Sequence, residues 1–133
     1  MSGRYAVAVA AAFREAVGFA ASFYGVRIVD DHPDSAHLSI GKVSSHLYFA
    51  FAEHDHYVPE ARKRQLVDTL TEHKVSFECE TYEGSHHGFA FPERANYDED
   101  ASERHWAKVF ELCITKLTAR SADRRENTLA SKS

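Results

Sequence analysis

Tyr5, Val9 and Phe13 recur every fourth position within an alanine-rich opening. That spacing lines them up on one side of a helix over residues 2–13. A short apolar run, GFAASFY, follows at 18–24 between Gly18 and Gly25, and reads as a strand buried on both faces. Residues 30–45 are polar, with Pro33 and Gly41, and are expected to form a loop. HLYFAFA at 46–52 is a second buried strand. Pro59 then opens a helix as its first residue, where a missing N–H costs nothing, and Leu66, Val67 and Leu70 give that helix one apolar side up to about His73. From 75 to 82, Val75, Phe77 and Cys79 alternate with Ser76, Glu78 and Glu80, the mark of a third strand with one wetter face. A last helix opens at Asp100, with Glu103 three residues on as in a capping box. Trp106, Val109, Phe110, Cys113 and Leu117 form its expected core stripe.

Strands alternating with helices in this order predict an α/β fold around a mostly parallel sheet with flanking helices. Three strands are few for such a sheet, which needs cover on both faces and protection at its edges. A three-stranded version that begins with a helix looks like the second part of a larger unit. The sequence divides into a folded region, 1–119, and a polar tail, 120–133, with almost nothing to bury and therefore expected to be disordered.

Composition narrows the function classes. The 133 residues are 44% hydrophobic and 27% charged, as in ordinary soluble domains, and the net charge of −4 comes without a basic stripe. Nucleic acid is therefore an unexpected partner. The longest apolar stretch, 5–13, is too short to cross a bilayer and lacks the layout of a secretory signal, so a cytoplasmic location without membrane contact is expected. Cys79 and Cys113 have neither disulfide-framework nor metal-ligand spacing and read as small buried apolar residues.

In open α/β sheets chemistry gathers at the carboxyl ends of the strands. Two polar clusters fall there, EHDHYVP at 53–59 and EGSHHGF at 83–89. The intervening helix and strand form a crossover that brings both clusters to one rim. A carboxylate such as Asp55 can accept the Nδ1–H of a histidine, fix its tautomer and leave Nε2 as a base. The residues themselves leave open whether His86 or His87 is that histidine, and whether the pair is only a structural ion pair. A metal held by His54, His56, His86 and His87 is disfavoured, because neighbours in extended chain point opposite ways and no H-E-x-x-H or facial-triad spacing occurs.

FYG at 23–25, AEHDHYVPEA at 52–61, YEGSHHGFAFPERANYDEDAS at 82–102 and HWAKVFEL at 105–112 together resemble the C-terminal half of the dienelactone hydrolase family, over roughly residues 1–118. The resemblance implies an α/β-hydrolase fold that cleaves lactones and esters without a cofactor or a metal. It places the catalytic acid at Asp55, before Val-Pro, and the catalytic base at His87, before Gly-Phe. His86 is then a neighbour that points away. Tyr57, Phe89 and Phe91 become expected pocket residues. Some family members hold a substrate carboxylate with an arginine shortly after the histidine. The fourth residue on is Phe91 here and the nearest arginine is Arg94, which leans toward a less polar acyl group.

The resemblance also implies what is missing. The family nucleophile stands in a tight elbow ahead of the helix that precedes FYG. If Ser2 and Gly3 take the small positions of that elbow, the nucleophile falls one residue before Met1, and Met1 takes the oxyanion-hole position. The expectation is a small ester or lactone as substrate of the intact enzyme, and an isolated chain without activity. The alternative is a non-catalytic α/β module. Through the exposed edge of the strand at 18–24 it would form a homo-oligomer or pair with an N-terminal fragment.

Overall fold

The computed structural model describes residues 3–130. Helix α1, Gly3–Ala12, leads into strand β1, Phe19–Phe23, and a 3-10 helix, Ala36–Lys42. Strand β2, His46–His54, is followed by helix α2, Glu60–Glu72, strand β3, Phe77–His86, and helix α3, Glu99–Ala130. The three strands form one parallel sheet in the order β1-β2-β3, with Phe19 opposite His46 and Leu47 opposite Phe77.

Alternation along β2 divides the core in two. Leu47, Phe49 and Phe51 face one side of the sheet, where they meet Val7 of α1, Ile40 of the 3-10 helix, and Leu66 and Leu70 of α2. Tyr48, Ala50 and Ala52 face the other, against Val109 and Leu112 of α3 and Tyr82 of β3. Helix cover on both faces is what a parallel sheet requires, and β2 is buried from His46 through Ala52 as a result.

Three local expectations change. Both outer helices bury faces other than those the larger side chains mark. On α1, Tyr5, Val9 and Phe13 are exposed, while Gly3, Val7, Ala10 and Ala11 are buried. Small residues win there because α1 lies almost in contact with the chain after β1: a methyl added at Gly3 would sit 2.5 Å from Gly25 Cα. On α3 the buried stripe is Ala101, His105, Val109 and Leu112, leaving Trp106, Phe110, Ile114 and Leu117 outside. The cap of α3 is Asp98, whose Oδ1 accepts from Ala101 N at 3.0 Å, not Asp100. The presumed loop at 30–45 contains the 3-10 helix because Ala36 and Ile40, four apart, both reach the core.

Helical backbone covers 120–130, the part of the polar segment inside the described residues. Among the described residues no helix is long and apolar enough to cross a membrane.

Candidate active site

β2 and β3 end side by side, with His54 in register with His86 across an irregularity that begins after Ala52. The chain leaves β2 through a tight turn centred on Asp55. Val58 N donates to Asp55 O at 3.2 Å, and Tyr57 N donates to Asp55 Oδ1 at 3.0 Å. Lys63 secures the same strand end from α2: buried over the Phe51 ring, it donates from Nζ to Ala52 O at 3.3 Å. Beyond β3 the chain turns at Gly88, whose φ of +91° suits glycine. Phe89 N donates to His86 O at 3.0 Å, and Asp98 N to Phe89 O at 3.0 Å, which ties the turn to the start of α3.

These two turns bring Asp55 Oδ2 within 2.8 Å of His87 Nδ1. The Asp55 side chain is fully buried, and that of His87 is 22% exposed. Both carboxylate oxygens are therefore engaged, one by a main-chain N–H and one by the imidazole. A neutral imidazole that donates from Nδ1 holds its free electron pair at Nε2, the arrangement a general base requires. His86 is exposed and turned to His54, their ring centres 5.0 Å apart.

His87 borders a cavity of about 390 Å³. Its walls include Gly3 and Ala6 at the start of α1, Ser22 and Tyr24 from the end of β1, and Phe91 and Arg94 beyond the turn. The Ser22 hydroxyl is buried against Gly3 and Gly25 and has no hydrogen-bond partner among the described residues. Of the expected pocket residues, Phe91 lines this cavity, whereas Phe89 is fully buried in the core between Tyr24, Tyr82 and His105. Tyr57 stands edge-on to His87 at 4.9 Å but lines a separate cavity of about 200 Å³. Met1 lies outside the described residues.

Tyr24 and Arg94 stand at the site without having been singled out for it. Tyr24 takes φ +37°, a strained value for a non-glycine, while its N–H donates to Ala50 O at 2.6 Å. Its ring lies edge-on to both His87 and Phe89. Burial raises the Tyr24 hydroxyl pKa, and the Arg94 charge opposes that rise. Arg94 lies over the Phe91 ring and packs against Gly88 so closely that a methyl there would sit 2.9 Å from Arg94 Cδ. The seven-residue separation from His87 hides this proximity, since it depends on a turn that the spacing does not specify.

The family model that matches the chain is the dienelactone hydrolase family, over residues 1–116. A protein of Synechocystis sp. named "Putative carboxymethylenebutenolidase" is 35% identical over 100 residues, which are 73% of this chain and 41% of that protein. Among solved structures, a "Putative Dienelactone Hydrolase" from Klebsiella pneumoniae superposes with a TM-score of 0.75 at 18% identity. That match covers 82% of this chain and 46% of the other. A dienelactone hydrolase-like promiscuous phosphotriesterase from metagenomic libraries gives a TM-score of 0.72 at 16% identity, over 86% of this chain and 48% of its own. The chain thus spans less than half the length of each of these relatives.

Proposed function

The chain belongs to the dienelactone hydrolase family, and from that premise we propose that it carries the acid and base of an ester- or lactone-hydrolysing site. The observation that supports this reading is the 2.8 Å contact between buried Asp55 and cavity-lining His87. In this scheme a thiol or hydroxyl from outside the described residues attacks the carbonyl carbon of a small ester or lactone. His87 Nε2 takes the proton of that nucleophile and returns it to the departing alkoxide; it then takes a proton from the water that attacks the acyl intermediate and returns it to the nucleophile as the acid leaves. Asp55 stays ionised, holds the ring tautomer and stabilises the imidazolium. No cofactor takes part. Arg94 brings a positive charge to the same cavity, so the acyl group is proposed to carry an acidic substituent in place of the less polar one that the spacing after His87 suggested.

Without the nucleophile the isolated chain should hydrolyse p-nitrophenyl acetate about 10⁶-fold more slowly than an intact enzyme, because triad members act as one unit. Joined to the N-terminal portion of a full-length relative, it should turn the ester over, and His87→Ala should cost about 10⁴-fold or more. Turnover that survives His87→Ala in the joined protein would refute the role given to His87. Turnover by the isolated chain that His87→Ala abolishes would refute only the absence of a nucleophile.

A further inference from the structure

The cavity of about 200 Å³ beside Tyr57 has a character of its own. Ile28 and Val29 from the segment after β1, Phe51 from β2, Val58 from the Asp55 turn and Leu66 from α2 wall it, and all five belong to the buried core. Protein interiors pack too closely for many voids of that size. A cavity of roughly 150 Å³ with such walls holds a benzene ring. Three cations also line it, and each already has an acceptor. Arg27 Nε donates to Asp30 Oδ2 at 3.2 Å, Arg62 to Asp31 Oδ2 at 2.6 Å, and Lys63 Nζ to Ala52 O at 3.3 Å. An acidic group entering there would have to displace one of these partners, whereas a neutral apolar group meets matching walls.

The cavity adjoins the reacting pair. Tyr57, in its wall, stands edge-on to His87 at 4.9 Å, while Tyr24, in the wall of the Arg94 cavity, stands edge-on to the same ring at 5.1 Å. The Tyr57 N–H donates to Asp55 Oδ1 at 3.0 Å, so the turn that sets the acid also sets this wall. One histidine thus touches a side chain from each of two cavities, and an ester has two limbs to place about one carbonyl. We infer that the cavity beside Tyr57 receives the alcohol limb, and that the substrate is an open-chain ester whose leaving alcohol is uncharged and about one ring in size. The acyl limb keeps the Arg94 cavity. When the bond between the acyl carbon and the ester oxygen breaks, the alkoxide takes the proton from His87 Nε2 and departs from the Tyr57 cavity as the alcohol. A lactone holds both limbs in one ring, and its alkoxide stays tethered to the acyl group, so it would leave this cavity unfilled. The inference rests on the acid–base reading of Asp55 and His87.

Binding to the chain alone tests the cavity. In methyl NMR spectra benzyl alcohol should shift Ile28, Val29, Val58 and Leu66 saturably, and 4-(hydroxymethyl)benzoate should bind there more weakly. Leu66→Phe fills the cavity from α2, and Val29→Leu fills it more mildly should the first variant fail to fold. Either, once circular dichroism shows a native fold, should weaken the benzyl alcohol response. No response, a response that neither variant weakens, or tighter binding of the carboxylate would overturn the inference. Turnover by the joined protein tests the limb. A benzyl ester should exceed the methyl ester of the same acid in kcat/KM by about 10-fold or more, because the ring is buried only in the former, and Val29→Leu should lower that ratio. Equal values for the two esters, with turnover that His87→Ala abolishes, would overturn the limb assignment and leave His87 standing. Turnover that survives His87→Ala while benzyl alcohol still binds would refute the acid–base reading, and the limb assignment with it, but not the ring site.

Discussion

His105 should make the stability of this chain fall steeply in mild acid. Its side chain is completely buried, and neither ring nitrogen has a hydrogen-bond partner among the described residues. Phe23 stands edge-on at 4.0 Å, with Tyr82 and Phe89 at 5.7 Å and the Tyr48 ring stacked at 6.2 Å. Burial lowers its pKa from 6.5 to about 4, only partly opposed by the negative charge of Glu80 on β3. Above the unfolded value near 6.5 both states hold a neutral ring, and this site contributes its full stability. As pH falls from there toward 4, the unfolded chain binds a proton that the folded chain refuses, so stability is lost. Lowering the pKa from 6.5 to about 4, at about 1.4 kcal/mol per pH unit, amounts to about 3–4 kcal/mol, a large share of the ~5–15 kcal/mol that holds a domain together.

His105→Leu removes the titrating group and keeps the site apolar. At about pH 7 it should be neutral or stabilising, since it also deletes two polar atoms that lack partners. Urea unfolding followed by circular dichroism, run on both proteins at intervals between about pH 7 and pH 4, isolates the effect, because the carboxylates titrate alike in the two and cancel in the difference. The variant should gain on the parent by about 1.4 kcal/mol per pH unit through the middle of that range. Parallel stability curves would refute the reasoning, as would an imidazole of the folded chain that titrates near 6.5 by NMR with His105 assigned.

Gly25→Ala would place a methyl 2.1 Å from Ser22 Oγ and 2.8 Å from Gly3 Cα, so chemical denaturation should show a loss of at least ~1–3 kcal/mol as α1 is pushed off β1; unchanged stability would mean that the approach is looser than described. Burial pushes the Cys79 thiol up to about 12, so at about pH 8 iodoacetamide should label it roughly 10³-fold more slowly in the folded than in the unfolded chain. Native labelling at the unfolded rate, read by peptide mass spectrometry, would contradict that environment.

Elements and their order were legible because side-chain periodicity is local: alternation and continuous apolar runs marked β1, β2 and β3, and Leu66 and Leu70 marked the buried side of α2. The meeting of the Asp55 and His87 turns was legible too, since a single crossover leaves no other place for the ends of two neighbouring parallel strands. Which side of α1 and of α3 enters the core was not. Both helices carry apolar residues around much of their circumference, so period alone is ambiguous. The choice fell to distance, with Gly3 and Gly25 letting α1 close on the sheet where Tyr5 or Phe13 would hold it away. Arg94 and Tyr24 came to the His87 cavity by the same kind of decision. Periodicity is a property of neighbours in the chain, whereas the strained φ at Tyr24 persists only because the packing around it leaves the backbone no better conformation.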